Sequence, residues 1–383
     1  MTALDGVFLT ADRSGETLPG LASVIADELA PHVVEIDQQG IYPARFMRLL
    51  GELGGFASLV PAQYGGNARG MAHAIAVMDE VSQVCASSGF LVWAQLACIW
   101  YVLHGDNDAL RQTLLPELVS GRALGGTAQS NSMKSCAGIE ATRLKAQRVE
   151  GGYLVNGSLP WVSNIGADHY FHFGAQLGDH PGLLIGLVRG DQPNLTLLHN
   201  AHFIGMEGTN TFACQFREVF LPDAQVICHP PGFDAFRART KAGFMLMQMG
   251  MALGLVDACV AMMQRSNQTH AHVNCFLDEQ ADDIEPALLD LRAATRALAL
   301  RMARDGCAPH VHAALELRLA GSELALLAAN AAMLHLGAKG YLINHAAQRR
   351  LREAYFIAIV TPAIKHLRKE LHELRDVAVA CQA

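Results

Sequence analysis

Three kinds of hydrophobic spacing succeed one another along the chain. From residue 18 to about 121 apolar positions recur at helical intervals, broken chiefly by Pro61-Ala62-Gln63-Tyr64-Gly65-Gly66, and residues 71–118 predict three or more apolar helices. From residue 124 to about 222 the runs shorten. Alternating or wholly apolar segments at 141–149, 153–155, 169–175, 183–188 and 211–219 are separated by Gly, Asn, Asp and Pro, which predicts a set of strands. From residue 235 onward long Ala-, Leu- and Met-rich stretches return, and 241–264, 283–305 and 312–336 are each long enough to cross a domain, as in a helical bundle. The chain therefore reads as α+β: a helical domain over 1–122, a β-domain over 123–228 and a helical bundle over 229–383.

Length and composition narrow this picture. A chain of 383 residues exceeds the usual single-core size, so two or three subdomains sharing a large interface are expected. The formal charge is −7 and no long Lys/Arg run is present to track a phosphate backbone, so nucleic acid is not an expected partner. Nine cysteines include no C-x-x-C pair, and the N-terminus lacks a basic segment followed by an apolar run, which together point to a reduced, cytoplasmic setting without disulfides. The most apolar segment, 244–263, is long enough to raise the question of a membrane. Gln248 and Asp257 interrupt it, however, so a helix buried on most sides is expected and no membrane partner.

Generic catalytic signatures are missing: there is no G-x-S-x-G elbow, P-loop or G-x-G-x-x-G. His-x-His occurs at His270/His272 and His310/His312 without further ligands in evidence, so no metal is expected. His366 and Lys365 read as solvated or capping residues.

The most informative stretch runs from Gly151 to Asn164. Tyr153-Leu154-Val155 is a β-favouring run closed by Asn156-Gly157, a dipeptide suited to a tight hairpin, so the chain is expected to reverse there. Pro160 limits pairing of the return strand. Trp161 and Ser163, two residues apart on an extended segment, share a face, which suits a flat, hydrogen-bonding ligand; a hairpin whose Trp is simply core is the other reading.

This stretch resembles the "NG-x-K-x-W-I-T/S-N" signature of the acyl-CoA dehydrogenase superfamily, with Leu159 in place of Lys. Val60-Pro61-Ala62-Gln63-Tyr64-Gly65-Gly66 resembles its "vP-x-x-y-GG" loop, and Leu114-Leu115-Pro116 through Gly121 its "yLP-x-l-x-sG" helix end. Gly205-Met206-Glu207-Gly208-Thr209-Asn210-Thr211, followed by Val219-Phe220-Leu221-Pro222, resembles the stretch that ends its sheet. The resemblance covers nearly the whole chain. It implies an N-terminal helical domain, a middle β-domain and a C-terminal four-helix bundle, with assembly as a homo-oligomer, dimer or tetramer. It also implies FAD as cofactor and an acyl thioester, or a related small molecule, as substrate.

Residue by residue, the resemblance implies that Trp161 packs against the isoalloxazine and that Ser163 bonds near its reactive nitrogen. The family's "T-E-P-G-x-G-S-D" loop, which meets flavin and thioester, falls on Gly126-Thr127-Ala128-Gln129-Ser130-Asn131-Ser132-Met133-Lys134-Ser135. Almost every identity differs there, but Thr127 or Ser130 could reach a flavin carbonyl edge, and Lys134 and Ser135 fall on the substrate side; a polar surface loop is the alternative. His335-Leu336-Gly337-Ala338-Lys339-Gly340-Tyr341 resembles the loop whose glycines, here Gly337 and Gly340, approach the cofactor pyrophosphate, although a helix cap followed by a turn would read the same. The "R-x-x-F-G" element near residues 269–276 has lost both its Arg and its Gly, which leaves FMN or reduced flavin possible in place of FAD.

The customary base is also missing. A Glu near the C-terminus commonly takes the α-proton in this family, and matching Arg352-Glu353 to its "RD" pair puts Thr361 at that position. The alternative position, on the first long bundle helix, holds Phe244. A reduced-flavin monooxygenase on the same scaffold needs no such base, and a non-catalytic acyl-binding homologue needs none either.

Overall fold

The computed structural model describes residues 18–199 and 201–380; the first seventeen residues of the expected N-terminal domain lie outside them. The N-terminal helices are α1 (Leu21–Val24), α2 (Val33–Gln38), α3 (Ala44–Glu52), α4 (Met71–Val84), α5 (Ala86–His104) and α6 (Asp108–Val119). Helix α5 is apolar on every face, and each residue from Ala86 to Val102 is buried, as expected of a helix enclosed by its neighbours. Its one amide, Gln95, is fully used. Nε2 donates to Leu118 O at 2.8 Å and Ala123 O at 3.1 Å, and Oε1 accepts the N–H of Gly125 at 2.6 Å. That clasp fixes where the chain leaves α6 and enters the first strand. A Cβ at Gly125 would lie 2.6 Å from Cys98 Sγ, so the approach of strand to helix requires glycine.

The middle of the chain forms strands β1 (Gly125–Ala128), β2 (Lys145–Val149), β3 (Gly152–Val162), β4 (Tyr170–Leu177), β5 (Leu183–Arg189), β6 (Leu195–Leu198), β7 (Phe212–Pro222) and β8 (Val226–Cys228), with the short helix α7 (Ser130–Cys136) after β1. The order is β6-β7-β3-β2-β4-β5-β8, and β1 adds to β4 in parallel. Strand β5 is buried on both faces. Leu183, Ile185 and Leu187 join the helical core, while Leu184 and Val188 join a separate core within the sheet.

The hairpin expected at Asn156-Gly157 is not there. The chain reverses at Glu150-Gly151, where Gly151 has φ +72°, and β3 runs on through Asn156 and Gly157 to Val162. Asn156-Gly157 is a bulge: the register against β7 slips between Val155 and Gly157, and Asn156 Oδ1 accepts the N–H of Glu218 at 2.8 Å. The positive φ that suits a turn serves here to bend a long strand.

The C-terminal helices are α8 (Phe233–Met247), α9 (Met249–Asn274), α10 (Ala281–Asp305), α11 (Val311–Leu336), α12 (Ala346–Ile359) and α13 (Ile364–Ala380). The single helix expected over 241–264 is broken at Gln248, a fully buried residue that joins α8 to α9. Its side chain bridges elements distant in sequence, described below. The apolar segment 244–263 lies inside the bundle, and its buried Asp257 accepts from Arg292 Nη2 at 2.7 Å, with Arg292 Nε reaching Asp79 on α4 at 2.9 Å. The order of helical region, sheet and helical bundle is the one expected from the sequence.

Candidate functional site

A cleft of about 370 Å³ opens where the ends of β1 and β3 face α5, α8 and the end of α12. One wall is polar. Thr127 on β1 and Ser163 just after β3 meet in an isolated bridge, and both line the cleft. Thr209 Oγ1 donates to Met206 O at 2.7 Å, which leaves Thr211 to donate to Thr209 at 2.9 Å and Ser163 to donate to Thr211 at 2.7 Å. The chain of protons therefore runs from Ser163 to Met206 O and leaves the Ser163 oxygen with lone pairs to offer a ligand. Thr127 Oγ1 is buried with no hydrogen-bond partner, and such a group is costly unless a ligand or water satisfies it. Trp161 projects beside them, 57% exposed, an unusual state for an indole in a chain this apolar.

The opposite wall is aromatic. Phe90 stacks on Trp93 at 5.4 Å and meets Phe356 edge-on at 4.7 Å, and Trp93 meets Phe244 edge-on at 4.9 Å. At its lip the chain leaves α12, and Thr361 Oγ1 lies 2.7 Å from Ser130 Oγ. Gln248 Nε2 holds the carbonyl of Thr361 at 2.9 Å, while Arg318 Nε donates to Gln248 Oε1 at 2.6 Å. The Arg318 guanidinium also donates to Ile357 O, in the last turn of α12, at 2.5 Å and to Ser322 Oγ. This arginine is fully buried and meets only neutral acceptors. Burial lowers it to about 10, still cationic at neutral pH, and the carbonyl end of α12 is a favourable place for the charge.

Two cations line the cleft. Arg352 is spent on Asp37, at 2.8 and 2.5 Å, and on Ile204 O at 2.7 Å; Lys134 stands 3.9 Å from Glu140. Among the described residues no Asp, Glu or His lines the cleft. A further carboxylate, Glu370, lies in an adjoining cavity of about 40 Å³ that shares Gln129, Met133 and Phe244 with the cleft. Burial pushes the Glu370 carboxyl up, but the hydrogen bond from His366 at 2.8 Å and the Lys241 ammonium outweigh it and hold it down at about 2. So strongly stabilised an anion is a poor proton acceptor. Gln129 in turn donates to His172 Nδ1 at 3.0 Å; burial drives that imidazole to about 3, and it stacks on Tyr101 at 4.0 Å as a neutral ring.

Of the residues singled out in the sequence, Thr127, Ser130, Lys134, Trp161, Ser163, Phe244 and Thr361 are brought together around this cleft. Ser135 turns away, its Oγ 2.7 Å from Thr142 Oγ1. Gly337, with φ +54°, ends α11 and lines neither cavity, nor does Gly340, which packs within the bundle 3.1 Å from Leu336 Cβ as measured from the position a Cβ would take. Sequence reasoning passed over Thr209 and Thr211, which carry the proton chain, and Arg318. Thr211 closes a quoted motif, so its hydroxyl was a readable signal; Arg318 gives none, because a lone arginine in a helical pattern reads as solvent-facing.

Comparison with known proteins follows the same outline. A family model described as "Acyl-CoA dehydrogenase, N-terminal domain" matches residues 19–122. "Probable acyl-CoA dehydrogenase YngJ" of Bacillus subtilis (strain 168) is 28% identical over 350 residues, covering 87% of this chain and 90% of that protein. Benzylmalonyl-CoA dehydrogenase of Aromatoleum aromaticum is 26% identical, covering 87% and 90%. The solved structure of butyryl-CoA dehydrogenase from Megasphaera elsdenii superposes with a TM-score of 0.84 at 18% identity, covering 96% of this chain and 99% of that one.

Proposed function

The chain belongs to the acyl-CoA dehydrogenase superfamily, and from that premise we propose that it is a flavin-dependent oxidoreductase acting on an acyl thioester or a related small molecule. The observation that carries this reading is the polar wall of the cleft, where an exposed indole stands beside an unpartnered buried hydroxyl on Thr127 and the lone pairs of Ser163. A cleft of about 370 Å³, mostly apolar with a few convergent polar groups, suits a flat heteroaromatic ring system. The residues present thus fit an isoalloxazine.

When bound, the flavin supplies two-electron redox chemistry. Trp161 would cover one face of the ring, Thr127 would satisfy its orphaned hydroxyl on a ring heteroatom, and Ser163 would accept from a ring N–H. Phe90, Trp93, Phe244 and Phe356 exclude water from the other side and leave an apolar berth for an acyl group. Thr361 and Ser130 offer neutral hydroxyls to the substrate end. Neither is basic enough to take a proton α to a thioester unaided. The names of the relatives, benzylmalonyl-CoA and butyryl-CoA dehydrogenase, support a coenzyme A thioester as substrate. The exposed run Tyr341-Leu342-Ile343, 84, 62 and 69% accessible, supports assembly as a homo-oligomer, dimer or tetramer.

The lack of a carboxylate or imidazole on the cleft among the described residues favours a second reading, a reduced-flavin monooxygenase, which activates oxygen and requires no α-proton base. The absorbance spectrum of the purified protein with and without added FAD or FMN tests the flavin directly. Anaerobic bleaching by acyl-CoA supports the dehydrogenase; oxygen-dependent product formed with added reduced flavin supports the monooxygenase. Absence of any flavin uptake would sink both and leave a non-catalytic acyl-binding homologue.

A further inference from the structure

We propose that Arg318 is a positioning residue of the cleft: a buried charge that the protein leaves uncompensated and that, acting through Gln248, favours the negatively charged reduced form of the bound flavin over the neutral oxidised form. This rests on the flavin reading above and adds a residue to it. Other buried or half-buried arginines of the chain are met by carboxylates. Arg350 donates to Glu353 at 2.8 Å, Arg292 to Asp79 at 2.9 Å and to Asp257 at 2.7 Å, and Arg352 to Asp37 at 2.8 Å. Arg318, fully buried, donates only to Gln248 Oε1 at 2.6 Å, Ile357 O at 2.5 Å and Ser322 Oγ. Burial lowers it, and no carboxylate among the described residues is close enough to raise it again. Because the side chain is sealed within one chain, a neighbouring subunit cannot supply the missing anion. A buried charge without a counter-ion is costly, so its presence here calls for a gain elsewhere.

The geometry carries that charge to the cleft. Arginine only donates, so Gln248 must turn Oε1 toward it and Nε2 away, toward Thr361 O at 2.9 Å. The amide dipole is thereby aimed with its positive end at the lip. The lip also receives the carbonyl end of α12, since Phe356, Ile359, Val360 and Thr361 all line the cleft. Such an end carries roughly half a negative charge, which by itself would repel an anion. The full charge of Arg318, bonded to Ile357 O in that last turn, outweighs it and leaves the lip net positive. The two cations that line the cleft are each accompanied, Arg352 by Asp37 and Lys134 by Glu140 at 3.9 Å. A hydride from the substrate brings two electrons and one proton to a neutral oxidised ring and leaves it with one negative charge. In a largely apolar cleft a net positive lip stabilises that charge and gives the neutral ring nothing comparable.

The test is an anaerobic redox titration of the full chain loaded with FAD, dithionite supplying the electrons, on the native protein and on Arg318→Lys, Arg318→Met and Gln248→Glu. Arg318→Met removes the charge. Gln248→Glu keeps it and sets against it a carboxylate that contact with the guanidinium holds ionised. Both should still bind oxidised FAD, which certifies the fold, and should lose about tenfold or more of the native preference for reduced over oxidised FAD. That loss appears as a midpoint potential lower by about 30 mV for a two-electron couple. Arg318→Lys, which keeps the charge and gives up the fork, should stay within about threefold of the native preference. A mere structural clamp would answer to lost hydrogen bonds and not to charge. Equal shifts in the Lys and Met variants, or an unmoved potential in Gln248→Glu, would therefore overturn the proposal and leave the flavin reading standing. If Arg318→Met does not fold, the contrast between Arg318→Lys and Gln248→Glu decides alone. If the native chain binds no FAD, the flavin reading fails and this role of Arg318 fails with it.

Discussion

The sheet wall of the cleft carries hydroxyls on Thr127, Ser163, Thr209 and Thr211, ordered so that a ligand meets both a free hydroxyl and free lone pairs. The helix wall, from Phe244 across to Thr361, carries rings and a hydroxyl that is already paired with Ser130. One side is equipped to hold a heteroaromatic ring. The other is equipped to keep water out but not to move a proton. On the proposed flavin reading, the difference teaches that holding a cofactor and handling a proton are separable tasks, each resting on its own few residues. The helix wall is nonetheless built with care: a buried cation, Arg318, reaches through Gln248 to fix the backbone of Thr361. The lip is thus rigidly placed while its side chain is chemically mild.

Giving the helix wall what it lacks is the sharpest way to break that contrast. Thr361→Glu places a carboxylate beside Ser130 in an apolar, water-poor setting, where desolvation raises its basicity. If the substrate is an acyl thioester, anaerobic bleaching of the flavin by acyl-CoA should accelerate by roughly 10²-fold or more. No acceleration, with flavin still bound, would turn the assignment toward the monooxygenase. Next in size is Arg318→Ala, which opens a cavity and strands Gln248, Ser322 and the Ile357 carbonyl together. It should lower the unfolding free energy by about 3–5 kcal/mol, read from the urea midpoint. A loss under about 1 kcal/mol would mean that the buried charge costs nearly as much as its hydrogen bonds return.

How much of this could be read from the sequence differs between the same two walls. Trp161 and Ser163 were legible because period-two alternation on an extended segment puts them on one face wherever the strand happens to turn. The reading survived even though Asn156-Gly157 proved to be a bulge rather than a hairpin. Local dihedral preference permits a positive φ at Gly157, but pairing with β7 over eleven residues decides what that φ is used for. The long apolar helices were legible from composition, yet the break at Gln248 was not, since it is set by Thr361 and Arg318, more than sixty residues away along the chain. Strand β8 spans only Val226–Cys228 and was likewise silent. Thr361 was placed at the cleft by matching a family pattern; composition or periodicity could not have put it there.

On the sheet wall the sharpest probe is Trp161→Ala. More than half exposed, the indole contributes little to the apolar core, so unfolding free energy should change by less than about 1 kcal/mol. Flavin affinity should fall by about 10–100-fold, measured by fluorescence titration. Loss of stability with unchanged flavin binding would make Trp161 a packing residue and move the ring elsewhere.

The smallest expected effect separates the two walls by pH. Behind the sheet wall His172 is held neutral by burial, its folded value about 3 against an ordinary 6.5, so the unfolded chain binds the extra proton first. Stability tied to this residue is complete above pH 6.5 and drains away as pH falls from 6.5 toward 3, approaching about 1.4 kcal/mol per pH unit. Behind the helix wall Glu370 is an anion held down at about 2 against an ordinary 4.5, so its contribution is complete above 4.5 and is lost between 4.5 and 2. The two windows barely overlap above pH 4.5. Urea midpoints measured at pH 7, 6 and 5 should therefore leave Glu370 out and report the buried imidazoles, His172 together with His104, which burial holds at about 4. His172→Gln should reduce that slope by about half, leaving the share of His104, whereas Glu370→Gln should leave the slope intact and change only the offset. A slope unchanged in His172→Gln would assign the acid limb to His104, held at about 4 by burial and by the nearby Arg239 and Arg111, and would remove the sheet wall from the comparison.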